Sequence, residues 1–484
     1  MAGIAFRLQK LLSGESYSDL VRAYLFSGVI STGPFIVVIT TIACIKAALQ
    51  FRLSIEEGHL LMSLIVYVFA FSMLGVSPFY YVVTRYLADK YFFKQIDAFS
   101  SSYLSVLYVI FLLQTITAGP YLLYLDLNAN AKWVLYCLYL MVSGIWIAMI
   151  YLSAARSYLW IVTAFSIGAV VGIAASLLMG YQRGFNGFIN GFALGQAVCF
   201  FILTLRIFNE FGYTTAYNFD FFSYFKKHPN LILIGVAYYL GIWIDKFIFW
   251  FSPAGDRIAK GIYVFMNYDT PIFLAFITVI PSMAFFLVQM ETSFVKYYHT
   301  YFESVRKRGS LKEIRENHIA MTGNLSEHFQ KYAILQGLVS GIVVIFIYEI
   351  ANAFSLNPYQ MGIFRICILG AFLQMGFLMI LNIIFYFDFQ KDALRLTVIF
   401  LVTNAVFTRV TMALGYETYG FGYTAACFIT ILMSFLILNH KLKHLEYWVF
   451  MTQPVIIPKF KLESETHKKT SPDKKLKKVS TILR

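Results

Sequence analysis

Residues 158–206 read YLWIVTAFSIGAVVGIAASLLMGYQRGFNGFINGFALGQAVCFFILTLR. Two apolar runs, 158–180 and 185–206, are parted there by four residues with one charge, Arg183. A helix needs about 20 apolar residues to cross the roughly 30 Å hydrocarbon core of a bilayer. Both runs are that long, and neither alternates apolar with polar side chains as a membrane barrel strand does. The stretch reads as two spanning helices joined by a tight turn.

Working outward, ten more windows pass the same test: 25–49, 59–83, 102–125, 133–153, 230–252, 262–288, 332–353, 362–386, 395–413 and 419–439. The composition agrees, with 59% hydrophobic and 13% charged residues and a mean hydropathy of +0.68. A soluble domain carries about 25% charged residues, so a large soluble enzyme is excluded. The 49 Phe and 34 Tyr suit membrane interfaces and cavity walls. Five scattered cysteines, Cys44, Cys137, Cys199, Cys367 and Cys427, form neither a disulfide framework nor a zinc pattern.

The net charge of +14 is a topology signal rather than a nucleic-acid footprint. If the N-terminus is cytosolic, 30 Lys or Arg fall in segments on that side and 5 (Arg52, Lys132, Arg183, Arg257, Lys260) on the other; without the tail the ratio is 19 to 5. By the positive-inside rule both termini are cytosolic. Residues 2–13 place Ile4, Leu8, Leu11 and Leu12 on one helical face with Arg7 and Lys10 between them. That is the pattern of an interfacial helix.

The halves share two short patterns. Gly180-Tyr-Gln-Arg-Gly184-Phe-Asn-Gly-Phe188 parallels Gly415-Tyr-Glu-Thr-Tyr-Gly420-Phe-Gly-Tyr423, and Pro78 with a following aromatic stretch parallels Pro281 with one. One insertion, the basic loop 290–330, absorbs the difference in spacing. The expected architecture is an all-α membrane protein of about twelve transmembrane helices. Six helices per half gives both halves the same orientation, related by a pseudo-two-fold axis along the membrane normal. Its parts are an interfacial helix (1–20), a six-helix bundle (21–208), a cytosolic linker (209–229), a second bundle (230–441) and a basic tail (442–484). The tail has nine Lys or Arg from Gln453 onward and no apolar periodicity, so it is expected to be disordered. Contact with anionic lipid and a purely solubilising role both fit it.

Charges inside spans are the best pointers to function, because each costs about 2.5–3.5 kcal/mol on insertion scales. They are Lys46, Asp245, Lys246, Asp269, Glu349, Arg365 and Arg409, all towards the outer ends of their helices. Together they suggest a hydrated vestibule or a gate. Lys46, Arg365 and Arg409 lie within about a turn of the interface and can snorkel. Asp245 lies about 10 Å from its helix end at 1.5 Å per residue, too deep for that. Lys246 is expected to neutralise a carboxylate on another helix, Asp269 or Glu349. Trp243, Tyr238, Tyr239 and Tyr268 are candidates for stacking on sugars, with packing as the alternative. Gly33-Pro34, Pro78, Pro271 and Pro281 mark expected kinks. No catalytic site, metal site or cofactor is expected: there is no phosphate-binding lysine loop, no nucleophile elbow and no paired-carboxylate loop. The pair His440 and His444 sits beside Lys441 and Lys443, which disfavour a cation.

The opening MAGIAFRLQKLL, with Arg22-Ala-Tyr, Ser27-Gly28 and Ser31-Thr-Gly33-Pro34 after it, resembles the start of the PelG family. These are Pel exopolysaccharide transporters of the multidrug/oligosaccharidyl-lipid/polysaccharide exporter superfamily. The resemblance implies two six-helix bundles in a V in the inner membrane, with transport by alternating access or through the cleft between them. It also implies an N-acetylgalactosamine-rich polymer as substrate, for biofilm formation. The implied partners are membrane lipid, a cytosolic glycosyltransferase and a membrane cyclic di-GMP receptor. The basic C-terminal extension lies outside the resemblance. Alternatives of the same fold are a lipid-linked oligosaccharide flippase and an ion-coupled multidrug antiporter. A membrane-embedded glycosyltransferase would need an acidic or histidine loop that is missing.

Overall fold

A computed structural model describes residues 33, 36–45, 53–155 and 157–451, with the side chains of residues 291 and 292 excepted. The interfacial helix 1–20, Pro34, Lys46 and the tail beyond Met451 lie outside the described residues. The chain divides into one compact unit up to Asn439 and a second from His440.

In chain order the helices are α1 (Ile36–Ile45), α2 (Ile55–Phe92), α3 (Ala98–Tyr124), α4 (Ala129–Ala154), α5 (Tyr158–Phe211), α6 (Phe222–Lys227) and α7 (Pro229–Trp250). After a hairpin of two strands, β1 (Asp256–Ala259) and β2 (Ile262–Val264), come α8 (Met266–Ile277), α9 (Ile280–Gln289), α10 (Val295–Arg306) and α11 (Leu311–Ile345). The last helices are α12 (Ile347–Ala353), α13 (Pro358–Tyr386), α14 (Gln390–Leu414), α15 (Phe421–Lys443) and α16 (Leu445–Met451). Among the described residues nine helices are long and apolar enough to span a bilayer, α8 with α9 counting as one. The pair α11 and α12, bent by 67°, makes a tenth if it is one span.

Helix α5 has 54 residues, about 80 Å if straight, far more than a bilayer needs. It doubles back at Gly184, whose φ of 55° and ψ of −133° are not helical. A glycine takes that left-handed φ without steric cost. The two arms are the two windows of the opening stretch, and they meet along glycines. A Cβ on Gly191 would lie 2.2 Å from Ser176 N, one on Gly195 2.5 Å from Gly168 O, and one on Gly187 2.0 Å from Met179 O. Small residues four apart on both arms let the backbones touch, and dispersion and close packing then hold them without a hydrophobic drive.

Pro78 sits inside α2 without breaking it, and Pro271 lies inside α8. Pro281 opens α9 just after a break at Thr278 and Val279. The carbonyl freed at Thr278 accepts from Gln336 Nε2 of α11 at 3.3 Å. This answers the demand that backbone polar groups at membrane depth find protein partners. The segment 290–330, expected as a loop, is mostly helical. Α10 packs against the first turns of α11, burying Tyr301, Ile314, Met321 and Leu325. The linker 209–229 holds the short helix α6.

The hairpin β1–β2 pairs Asp256 with Val264 and Arg257 with Tyr263, turning at Gly261 with φ of 84°. It marks one end of the molecule's first unit, called here the hairpin end. Helix α2 packs against α4 of its own half and against α7 of the other. The α2–α7 seam is therefore the main contact between the two sequence halves.

Candidate functional site

Asp245 is fully buried on α7 and Lys246 keeps 7% of its surface. The Lys246 ammonium donates to Asp245 Oδ1 and Oδ2 at 3.1 Å each and to the carbonyl of Ile242 at 3.0 Å. All three ammonium hydrogens are thus used. The charge also lies 5.4 Å from the Phe276 ring and 5.8 Å from Trp243, within cation–π range. Tyr268 donates to Asp245 Oδ2 at 2.7 Å, tying α7 to α8. The expectation that Lys246 pairs with Asp269 or Glu349 is corrected: its partner is the residue before it. A lysine stem is long enough to fold back over its own turn, which fixed backbone directions alone do not reveal.

Asp269 lies beside this cluster. Its Oδ2 accepts from Trp250 Nε1 at 2.7 Å and from Phe265 N at 3.2 Å. Its buried Oδ1 has no hydrogen-bond partner among the described residues. Trp250 in turn stacks on Tyr67 of α2, with centroids 4.9 Å apart and planes at 7°. One turn along, Phe247 stacks on Phe71 at 5.4 Å. The Tyr67 hydroxyl donates to Tyr263 O at 2.7 Å and accepts from Tyr263 N at 2.9 Å. Tyr121 of α3 donates to Gly261 O at 2.7 Å. The halves are therefore held together at the hairpin end by stacked rings and backbone bonds.

At the opposite end of the seam, Arg85 of α2 meets Asp388 at 3.3 Å, and both side chains are at least a third exposed. Asp388 has a φ of 56° in the turn between α13 and α14. A Cβ on Gly235 of α7 would lie 2.1 Å from Ser77 O, so the two backbones touch there. Close to these contacts stand Tyr80 and Tyr81 of α2 with Tyr238 and Tyr239 of α7. Tyr80 and Tyr239 are 5.4 Å apart, and Phe385 stacks on Tyr81 at 4.8 Å.

The structure thus gathers Asp245, Lys246, Tyr268 and Asp269, but not the other charges. Glu349, Arg365 and Arg409 are exposed, and Arg365 lies 5.6 Å over the exposed ring of Tyr348. Among the sugar-stacking candidates, Trp243 packs near Phe247 at 6.1 Å and Tyr268 serves as the α7–α8 tie. Sequence reasoning missed Tyr67, Trp250, Arg85 and Asp388. Only the aromatic stretch after Pro78 signalled Tyr80 and Tyr81, and it carried no partner. Among the described residues no group of three His, Cys, Asp or Glu is placed to hold a metal ion.

Comparison with solved structures finds the same fold in multidrug and related transporters. An outward-facing multidrug resistance MATE family transporter of the MOP superfamily matches with a TM-score of 0.62 at 14% identity, over 90% of this chain and 98% of that one. A MATE structure in the bent conformation gives 0.62 at 13% identity, over 91% and 98%. A MOP superfamily transporter from Pyrococcus furiosus gives 0.60 at 13% identity, over 88% and 96%. No curated protein sequence matches the chain. Residues 1–450 match the family described as PelG, exopolysaccharide exporter (EPS-E).

Proposed function

The chain belongs to the PelG family of exopolysaccharide exporters, and on that premise we propose that it passes an N-acetylgalactosamine-rich polymer across the cytoplasmic membrane. The observation that carries the export reading is the family match over residues 1–450, together with the transporter fold. The positive-inside count supports both termini in the cytosol. The hairpin end then faces outward and the Arg85–Asp388 end faces the cytosol. Transport proceeds by parting the α2–α7 seam at one end while the other stays sealed, so that the polymer moves without an open pore. A cytosolic glycosyltransferase, held at the membrane beside a cyclic di-GMP receptor, supplies the polymer at the cytosolic end. No catalytic step is assigned to the chain.

Ion coupling through Asp245 is disfavoured by the way Lys246 and Tyr268 already satisfy it, which leaves Asp269, its Oδ1 without a partner among the described residues, as the site an antiporter would use. Deletion in the native host, followed by locating the polymer, tests the reading. An exporter's loss leaves polymer cell-associated or its synthesis arrested, with drug sensitivity unchanged. Undiminished secreted polymer refutes it. Export that survives Asp245→Asn with Asp269→Asn removes the antiporter alternative.

A further inference from the structure

The rings on the α2–α7 seam change character along its length. Near the hairpin end they form parallel stacks, Tyr67 on Trp250 and Phe71 on Phe247. Nearer the Arg85 end four tyrosines come together, two from each half. Tyr80 lies 5.3 Å from Tyr81 and 5.4 Å from Tyr239, and Tyr239 lies 5.4 Å from Tyr238, all in edge-to-face geometry. Tyr238 and Tyr239 are more than nine-tenths buried, with 6% and 8% of their surface left. The rings of Tyr80 and Tyr239 meet across the seam edge to face. The hydroxyls of Tyr81 and Tyr238 find no hydrogen-bond partner among the described residues, although Tyr81 itself packs on Phe385.

A phenol at membrane depth loses its hydration, so it normally has a protein partner. Packing alone would be met by phenylalanine, which the same neighbourhood uses at Phe71, Phe247, Phe377 and Phe385. Tyrosine here adds hydroxyls, and those of Tyr81 and Tyr238 are left without a partner by the described residues. Along these two helices the nearest charge is Arg85, one turn beyond Tyr81 and neutralised by Asp388: α2 from Leu60 to Thr84 and α7 from Asn230 to Ile244 contain no Asp, Glu, Lys or Arg. A ligand that suits this place has apolar faces for the rings, hydroxyl or amide groups for the phenols, and no net charge.

We propose that Tyr80, Tyr81, Tyr238 and Tyr239 form a subsite for one uncharged sugar unit, a hexose or N-acetylhexosamine. The proposal rests on the polysaccharide reading above. Because each half supplies two of the rings, a bound unit touches both halves, and its passage is tied to the parting of the seam. Access comes from the Arg85–Asp388 end, where the closing ion pair is exposed to water.

The test uses the purified full-length protein and an uncharged N-acetylhexosamine pentasaccharide as probe, with binding read by calorimetry. Tyr81→Phe with Tyr238→Phe keeps both rings and removes the idle hydroxyls. It is expected to weaken binding about tenfold, as loss of one or two hydrogen bonds does. Tyr239→Ala removes a ring and is expected to weaken binding at least as much. Tyr103→Phe, whose hydroxyl meets Thr204 away from the seam, is expected to bind like the wild type. Thermal melting checks that the phenylalanine variants fold. Wild-type affinity in both seam variants overturns the proposal, as does equal wild-type affinity for a hexuronate pentasaccharide. A wild type that exports polymer in cells yet binds no pentasaccharide overturns the subsite alone. Secretion unchanged by deletion overturns the exporter reading instead.

Discussion

The buried Asp245–Lys246 pair shows how two adjacent charges can be stable inside an apolar helix bundle. Neighbours on a helix point about 100° apart and do not face each other, which is why a partner on another helix was the natural expectation. The lysine stem closes that angle by folding back to the carbonyl of Ile242. A buried pair contributes little net stability over apolar residues, but removing one partner strands the other charge at a cost of about 3–5 kcal/mol. Asp245→Asn should therefore lower the melting temperature more than the double change Asp245→Leu with Lys246→Leu. Thermal unfolding in detergent compares them, and a double variant no better than the single one would contradict the pairing. Trp250→Phe keeps the stack on Tyr67 but withdraws the indole donor from Asp269. It should cost about 0.5–1.5 kcal/mol, the range for one lost hydrogen bond, in the same measurement, because Phe265 N still donates to Oδ2.

At the scale of elements, glycines set how closely helices approach. On α5 the glycines that carry the turn pattern were legible in the sequence as the boundary between two spans. Their role as a contact face was not, because residues four apart show a shared side but not what that side meets. Gly191→Leu must push a side chain into the backbone at Ser176, and overpacking of this kind costs about 1–3 kcal/mol or more. The yield of folded protein after membrane extraction should fall sharply. Gly58→Ala, where a Cβ meets nothing within 4 Å, should be neutral or stabilising by up to about 1 kcal/mol. Gly235→Leu acts on the seam itself by displacing α7 from Ser77 O. It should impair export while leaving each half's internal packing intact, read as polymer retention alongside a near-normal melt. Helix breaks followed the same division. Proline at 281 announced a weak point, but Pro78 sits in a continuous helix, and only the fold shows that Gln336 supports the break at Thr278.

For the whole molecule the two ends of the seam differ in strength. The hairpin end is closed by stacked aromatics and hydrogen bonds to backbone, whereas an exposed pair such as Arg85–Asp388 contributes about 0–1 kcal/mol. The Arg85 end should open first. Reversing its charge with Arg85→Glu should raise the labelling rate of a cysteine placed at Tyr80 several-fold, and restoring it with Asp388→Arg should bring the rate back. The orientation has its own test: a cysteine at Arg257 should react with a membrane-impermeant maleimide in intact cells, and one at Lys226 only after permeabilisation. The sequence by itself determined that the chain is a predominantly helical membrane protein. It marked out the apolar windows, set the expected side of each loop and, through its N-terminal residues, pointed to the exporter family. These follow from local hydropathy, charge and short patterns, which each segment carries alone. Only the tertiary structure decided that Lys246 folds back on Asp245, that Tyr67 meets Trp250, and that tyrosine pairs 158 residues apart come together. Contacts between helices depend on rotation and register, and an apolar helix surrounded by other apolar helices carries almost no amphipathic signal of which face turns inward.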